Sequence, residues 1–192
     1  MDRPRRAVPG PRRRLEGAPM SDPCATFRTV LVPVELIELE GDEPGAGPKV
    51  HIGDVDLGVN EATRRAMELA GRLVRDGTVV LFHAIRDLAG SAAFMRAKDS
   101  IALEDAARRN AATALDAIGA ALLPDAERRI EVTVSDDPLD AILHAVADDG
   151  IEAIVLATSS RTRVQRAFLG STADKVIRRA PCPVVVVPAH PA

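Results

Sequence analysis

The chain has 192 residues, of which 46% are hydrophobic and 28% are charged, the balance of a protein that buries one core. Aromatic residues make up only 2%, which argues against a nucleic-acid binder that stacks bases on aromatic side chains. The net charge of −3 argues against coating DNA or an acidic membrane, and two cysteines are too few for a disulfide framework. No apolar stretch approaches the roughly 20 residues that span a bilayer. We therefore expect a soluble, cytoplasmic protein with no nucleic-acid or membrane partner.

The charge is unevenly distributed and suggests the domain boundaries. Residues 1–26 hold six arginines against three acidic residues, with five prolines and no apolar periodicity, so we expect a disordered basic tail. A nucleic-acid-binding arm is one interpretation of this tail. A solvated tail, or sequence upstream of a true start at Met20, is the interpretation we favour. Residues 27–190 are expected to form one α/β domain with an acidic, Gly/Pro-rich insert at about 36–57.

The first half of this domain alternates strand and helix signals. Residues 29–34 form a short β-branched run typical of a buried strand. Asn60 is suited to cap a helix that ends near Gly77. The apolar stripe of this helix consists of Ala62, Ala66, Leu69 and Leu73. Residues 78–85 predict a second strand, and a long Ala-rich helix follows at about residues 99–121.

The second half continues the alternation. Residues 130–134 alternate in polarity, which predicts a strand near a sheet edge. Asp137 and Pro138 form the typical cap and first residue of a helix. The apolar stripe of this helix consists of Leu139, Ile142, Leu143 and Val146. Residues 151–156 predict the fourth strand, 171–179 the last helix and 184–187 the fifth strand.

Strands that alternate with helices at this spacing imply parallel βαβ units. The sequence therefore predicts a doubly wound, Rossmann-like α/β sheet with helices on both faces. In such folds a ligand binds beyond the carboxyl ends of the strands, where the winding reverses. The loops after strands one and four are the candidates for that site.

The loop after strand four contains a potential anion site. Gly170, Ser171 and Thr172 stand at the start of the last helix, where free N–H groups and the helix dipole favour an anion. The alternative is a capping box between Ser171 and Asp174, which needs no ligand. After strand one the chain has neither a G-x-G-x-x-G motif nor a P-loop.

The segment from Ala157 to Pro188 resembles the carboxyl-terminal signature of universal stress proteins, above all in the run L-G-S-T-A-D-K-V-I-R-R-A-P-C-P-V-V-V-V-P. The runs at 30–34, 81–84, 136–138 and 152–156 agree with the same family, so the resemblance extends over residues 27–188. It implies a five-stranded parallel sheet in the order 3-2-1-4-5, dimerisation through the last strand and, in one branch, ATP binding.

That branch carries the motif G-x2-G-x9-G-[ST], of which this chain matches only the last part. Gly170 and Ser171 match, whereas Ala157 and Ser160 replace the first two glycines. The family's acidic residue after strand one corresponds to Glu35, and its adenine contact to Ala84. The nucleotide-binding residues implied by the resemblance are Pro33, Val34, Glu35, Ala84, Leu156, Ala157, Ser160, Arg161, Gly170, Ser171, Thr172 and Ala173.

The other candidate groups are isolated. His51, Asp54 and Asp56 are potential metal ligands, but we expect them to lie in a flexible, solvated acidic loop, and we predict no metal site. His83 ends a strand and is expected to be structural. Cys182 is expected to be a small, half-buried side chain.

The sequence thus favours a regulatory protein of the stress response, with weak ATP binding and no catalytic residues. Val184, Val185, Val186 and Val187 are expected to pair with their copies in a homodimer. The alternative is a module of the same fold that binds an unidentified protein without nucleotide. A slow ATPase is a less favoured alternative.

Overall fold

The computed structural model describes residues 27–39, 47–86, 97–158 and 171–188. The strands are β1 (Phe27–Pro33), β2 (Ile37–Glu38), β3 (Val50–Ile52), β4 (Val55–Gly58), β5 (Val74–Ile85), β6 (Glu127–Val134), β7 (Ala153–Ala157) and β8 (Val184–Val187). The helices are α1 (Glu61–Leu73), α2 (Ala97–Leu122), α3 (Pro138–Asp148) and α4 (Ser171–Arg179). The basic tail predicted at 1–26 lies outside the described residues.

Five of the strands form one parallel sheet in the order β6-β5-β1-β7-β8. Counted as the five predicted strands, this is the order 3-2-1-4-5, and both it and the doubly wound α/β class are confirmed. β6 lies at one edge of the sheet, as its alternating pattern predicted, and β8 lies at the other edge.

The two faces of the sheet carry separate apolar cores. On one face, α1 and α2 pack on the sheet through residues such as Met67, Leu115 and Ile118. On the other face, α3 and α4 pack through Ile142 and Val176. Because helices cover both faces, the functional surface is left at the strand ends, where the loops emerge.

The boundary between α1 and β5 differs from the prediction. The helix ends at Leu73 instead of near Gly77, and β5 starts at once with Val74. A Cβ atom on Gly77 would stand 2.3 Å from the Arg28 carbonyl oxygen, so only glycine fits this close approach to β1. The glycine therefore serves strand pairing, and it is not a helix terminator.

The acidic insert is folded in its described part, which corrects the prediction of a flexible loop. β2, β4 and β3 form a small antiparallel sheet, with Val50 opposite Leu57 and Ile52 opposite Val55. Val50 also packs against the core beneath α1 and α2. The alternation of apolar and polar residues around Gly53 and Asp54 is a hairpin signal, and it outweighed the loop-like composition.

Candidate functional site

A cavity of about 670 Å³ opens at the carboxyl ends of the central strands. Its walls come from the ends of β1, β5 and β7 and from the first turns of α1, α3 and α4. This is the point where the winding of the sheet reverses, because β5 and β7 flank β1 on opposite sides. The cavity therefore occupies the place where doubly wound folds bind their ligands.

Eight of the twelve residues implied by the family resemblance line this cavity. They are Pro33, Val34, Glu35, Ala84, Leu156, Ala157, Thr172 and Ala173. Ser160, Arg161 and Gly170 lie outside the described residues. Ser171 is the first residue of α4.

The ends of β1 and β5 are tied together beside the cavity. The Val34 N–H donates to the Phe82 carbonyl oxygen at 2.8 Å. His83 Nδ1 lies 2.8 Å from the Val34 carbonyl oxygen, so this nitrogen carries the proton and donates it. These bonds give His83 the structural role expected of it and hold Glu35 at the mouth of the cavity.

Helix N-termini supply much of the polar lining. At α1, the Asn60 side-chain oxygen accepts the Thr63 N–H at 2.9 Å. At α3, the Asp137 carboxylate accepts the N–H groups of Leu139 and Asp140 at 3.0 and 3.4 Å. The α3 end is thereby occupied by a negative charge, whereas the α1 end is capped by a neutral amide.

Asp174, the acidic residue in the first turn of α4, forms an ion pair within the helix. Asp174 Oδ2 accepts a hydrogen bond from Arg178 Nε at 3.0 Å, one turn further along the helix. This ion pair lowers the pKa of Asp174 and raises that of Arg178. The carboxylate predicted for a capping box with Ser171 thus stabilises the helix through an i,i+4 pair with Arg178. The capping box itself stays a prediction, because the Ser171 side chain lies outside the described ones.

Sequence reasoning missed several polar residues of the lining. They are Asn60, Thr63, Arg86, Ser135 and Asp136. Asn60 was identified only as a helix cap, because nothing in the pattern shows that the start of α1 faces the crevice. Arg86 and Ser135 follow β5 and β6 directly, so parallel strand order alone could have placed both at this rim.

The folded insert borders the same cavity. β2 starts directly after Glu35 and Leu36, and β4 leads directly back to Val59 and Asn60. Of these, Glu35, Leu36 and Asn60 line the cavity. Pairing of Ile37 with Gly58 therefore holds the loop after β1 beside the start of α1.

The metal-ligand candidates of the insert are partly brought together. His51 Nδ1 and Asp56 Oδ1 lie 2.9 Å apart on paired strands; the His51 side chain is largely exposed and that of Asp56 is partly exposed. Nowhere in the part of the chain that the structure describes do three His, Cys, Asp or Glu side chains form a potential metal site. Cys182 is half-buried, as expected, and burial raises the pKa of its thiol.

A second, smaller cavity of about 450 Å³ lies between β6 and α3. Its lining includes Glu131, Asp140, His144, Asp148 and Asp149. Burial, together with the nearby carboxylate of Asp149, raises the pKa of Glu131 to about 6. Arg129 pairs with Asp149 at 3.0 Å and supplies positive charge to this acidic group.

Among the helices that the structure describes, none is both long and apolar enough to cross a bilayer.

Comparison with known proteins places these observations in one family. Residues 56–188, more than half of the chain, match the model of the universal stress protein family. A curated Thermus aquaticus protein, named for a universal stress protein in the QAH/OAS sulfhydrylase 3′ region, is 42% identical over 50 residues. That alignment covers 26% of this chain and only 36% of the Thermus protein.

Solved structures agree with the fold. A hypothetical protein studied as a test case for assigning biochemical function from structure is 17% identical, with a TM-score of 0.59. The similarity covers 87% of this chain and 99% of that one. Universal stress protein UspA from Lactobacillus plantarum is 20% identical, with a TM-score of 0.51 and coverage of 85% and 99%. With the family model matched over most of the domain and the sheet order in agreement, this chain belongs to the universal stress protein family.

Proposed function

We propose that this chain is a cytoplasmic regulatory protein of the stress response that binds an adenine nucleotide, such as ATP, weakly in the large cavity. The observation that carries the proposal is the convergence of strand ends and helix N-termini on one cavity at the switch point of the sheet. Its volume of about 670 Å³ is in the range of small-molecule sites. Ala84 and Leu156 offer apolar contact for a base, and the helix N-termini attract phosphate.

Ser135 and His83 favour binding over catalysis, because both side chains are hydrogen-bonded to the backbone. Ser135 Oγ donates to the Asp137 carbonyl oxygen and accepts the Asp137 N–H, at 3.0 and 3.2 Å. His83 Nδ1 is engaged with the Val34 carbonyl. In the described lining, the serine and the histidine therefore serve the backbone, and neither forms the nucleophile–base pair that hydrolysis through a covalent intermediate needs.

Weak affinity is expected because of Ala157 and Ser160. Glycines at these family positions allow the backbone to approach the phosphates, and larger residues restrict that approach. The same replacement is the reason to keep a second candidate, an interaction module of this fold that needs no nucleotide. A slow ATPase stands as a third and less favoured candidate.

A thermal-shift scan separates binding from a nucleotide-independent module. The chain has no Trp and no Tyr, so unfolding is followed with an extrinsic dye. ATP, ADP and AMP at about ten times a millimolar Kd should stabilise the native state by about 1.4 kcal/mol, a rise of about 3–5 °C in Tm. Sodium tripolyphosphate is the control for unspecific anion effects. An unchanged Tm with all three nucleotides would leave the interaction module as the better account.

A further inference from the structure

We infer that the N-terminus of α1 is a second anion subsite of this cavity, which takes a phosphoryl group of the bound nucleotide; the inference rests on the proposed function. The subsite consists of the first-turn N–H groups of α1 with the side chains of Asn60 and Thr63. It lies on the opposite face of the sheet from the predicted anion site at the start of α4.

Thr63 is the residue that points to a ligand. It is only 2% exposed, yet it lines the cavity. Its hydroxyl makes no hydrogen bond with any residue that the structure describes. Its oxygen atom is nevertheless not fully enclosed by protein, so part of it remains accessible. Thr113, by contrast, donates its hydroxyl to the carbonyl of the preceding turn at 2.9 Å. The Thr63 hydroxyl thus faces the cavity with its donor free.

The neighbouring groups are also donors. Asn60 uses its side-chain oxygen to accept the Thr63 N–H, which leaves both protons of its amide nitrogen for a ligand. The N–H groups of Glu61 and Ala62 have no acceptor within the helix, since an α-helix leaves its first N–H groups unpaired. A ligand group with several acceptor oxygens, such as a phosphoryl group, would complement these donors at the start of α1.

The charge distribution favours an anion at α1 over one at α3. The Glu61 carboxylate is held by the Arg64 guanidinium at 2.6 and 2.8 Å, which lowers its pKa and offsets its charge. At the α3 end, the Asp137 carboxylate already occupies the free N–H groups, and Asp136 and Asp140 stand beside it. A phosphoryl group would be repelled there.

The test compares AMP with adenosine in titration calorimetry, because the two ligands differ only in the phosphoryl group. The wild-type chain should bind AMP about tenfold more tightly than adenosine. Asn60→Asp keeps a good helix cap but adds a negative charge at the subsite, so the advantage of AMP should fall below about twofold. Asn60→Ser is the matched control, a neutral cap that retains most of the advantage. Thr63→Val should reduce the advantage about threefold through loss of one donor.

Phosphate titration followed by ¹⁵N NMR provides the second readout. The amides of Glu61 and Ala62 should shift in a saturable manner with inorganic phosphate in the wild type, and not in Asn60→Asp. An undiminished AMP advantage in both Asn60→Asp and Thr63→Val would overturn the subsite while the proposed function stands. If neither AMP nor adenosine binds, the proposed function fails, and the phosphate titration alone decides for or against the subsite.

Discussion

At the scale of single residues, Glu131 is a half-buried carboxyl group whose surroundings raise its pKa. Its Oε2 atom is enclosed without a hydrogen-bond partner of good geometry, and Asp149 approaches it from the end of α3. Both effects oppose the charged form, and burial is the larger one. The folded state consequently holds a proton on Glu131 to about pH 6, above the ordinary value of 4.5.

This raised pKa predicts the direction of a stability change. Between about pH 4.5 and 6 the folded state binds more protons than the unfolded state, so the free energy of unfolding decreases as the pH rises through that window. Glu131→Gln should remove the decrease and stabilise the protein at pH 7 by about 1 kcal/mol, allowing for solvent screening. Urea unfolding at pH 5 and pH 7 measures both effects. Exposed Glu127 on the same strand provides the control Glu127→Gln, and equal behaviour of the two variants would contradict this account.

Two other residues explain why the cavity should bind nucleotide weakly. If Ala157 and Ser160 must adopt left-handed backbone conformations around a ligand, each costs roughly 1–2 kcal/mol. The combined change Ala157→Gly and Ser160→Gly should therefore tighten ATP binding by at least about tenfold. Calorimetry on the variant and the wild type measures the gain. An affinity that stays the same would show that these positions do not limit binding.

At the scale of elements, the edge strand β8 is the basis of our prediction for how the molecule assembles. Within the described residues β8 pairs only with β7, and Val184, Val185 and Val186 remain half-buried. Its end is fixed by Arg65 of α1, whose guanidinium donates to the Pro188 carbonyl oxygen. An ordered, apolar, unpaired edge invites a further strand.

We predict that β8 pairs antiparallel with its copy across a two-fold axis. Val185→Lys should convert the dimer to a monomer in sedimentation velocity at micromolar concentration, since the new charge would face its own copy across the interface. Val185→Thr, which keeps a β-branched side chain, should leave the dimer intact. A monomeric wild type at the same concentration would refute the prediction.

The elements also show which parts of the fold could be predicted. The five parallel strands and their order were predictable because apolar runs alternate with helix signals along the chain, such as the cap Asp137 before Pro138. The prediction of a flexible insert was wrong because it relied on the acidic, Gly/Pro-rich composition. The alternation of apolar and polar residues, which lets Val50 and Leu57 pair and bury one face, indicated a hairpin instead. Gly77 was wrongly predicted to end the preceding helix. Its role depends on a close approach to Arg28, a tertiary contact that the sequence alone does not show.

At the scale of the whole molecule, the sheet, the insert and the helices α1, α3 and α4 meet at one cavity. Predicted site residues such as Glu35 and Ala84 reach it because they lie at or just beyond the carboxyl ends of the central strands β1 and β5. The position of Thr63 in the cavity wall could not be predicted from the sequence. It depends on how α1 packs on the sheet and on the folded insert, which brings the chain back to Asn60. A change in the insert is therefore positioned to alter the cavity, since both of its ends form part of the wall.

The central claim is that this cavity binds an adenine nucleotide, and titration calorimetry with ATP on a blocked cavity tests it most directly. Ala84→Phe places a ring in the cavity at the end of β5, whereas Ala102→Phe adds the same ring on an exposed turn of α2. The account predicts saturable binding with a Kd of about 1 mM, or roughly −4 kcal/mol, in the wild type and Ala102→Phe, and none in folded Ala84→Phe. Equal ATP binding by all three proteins, or no binding by the wild type, would contradict it.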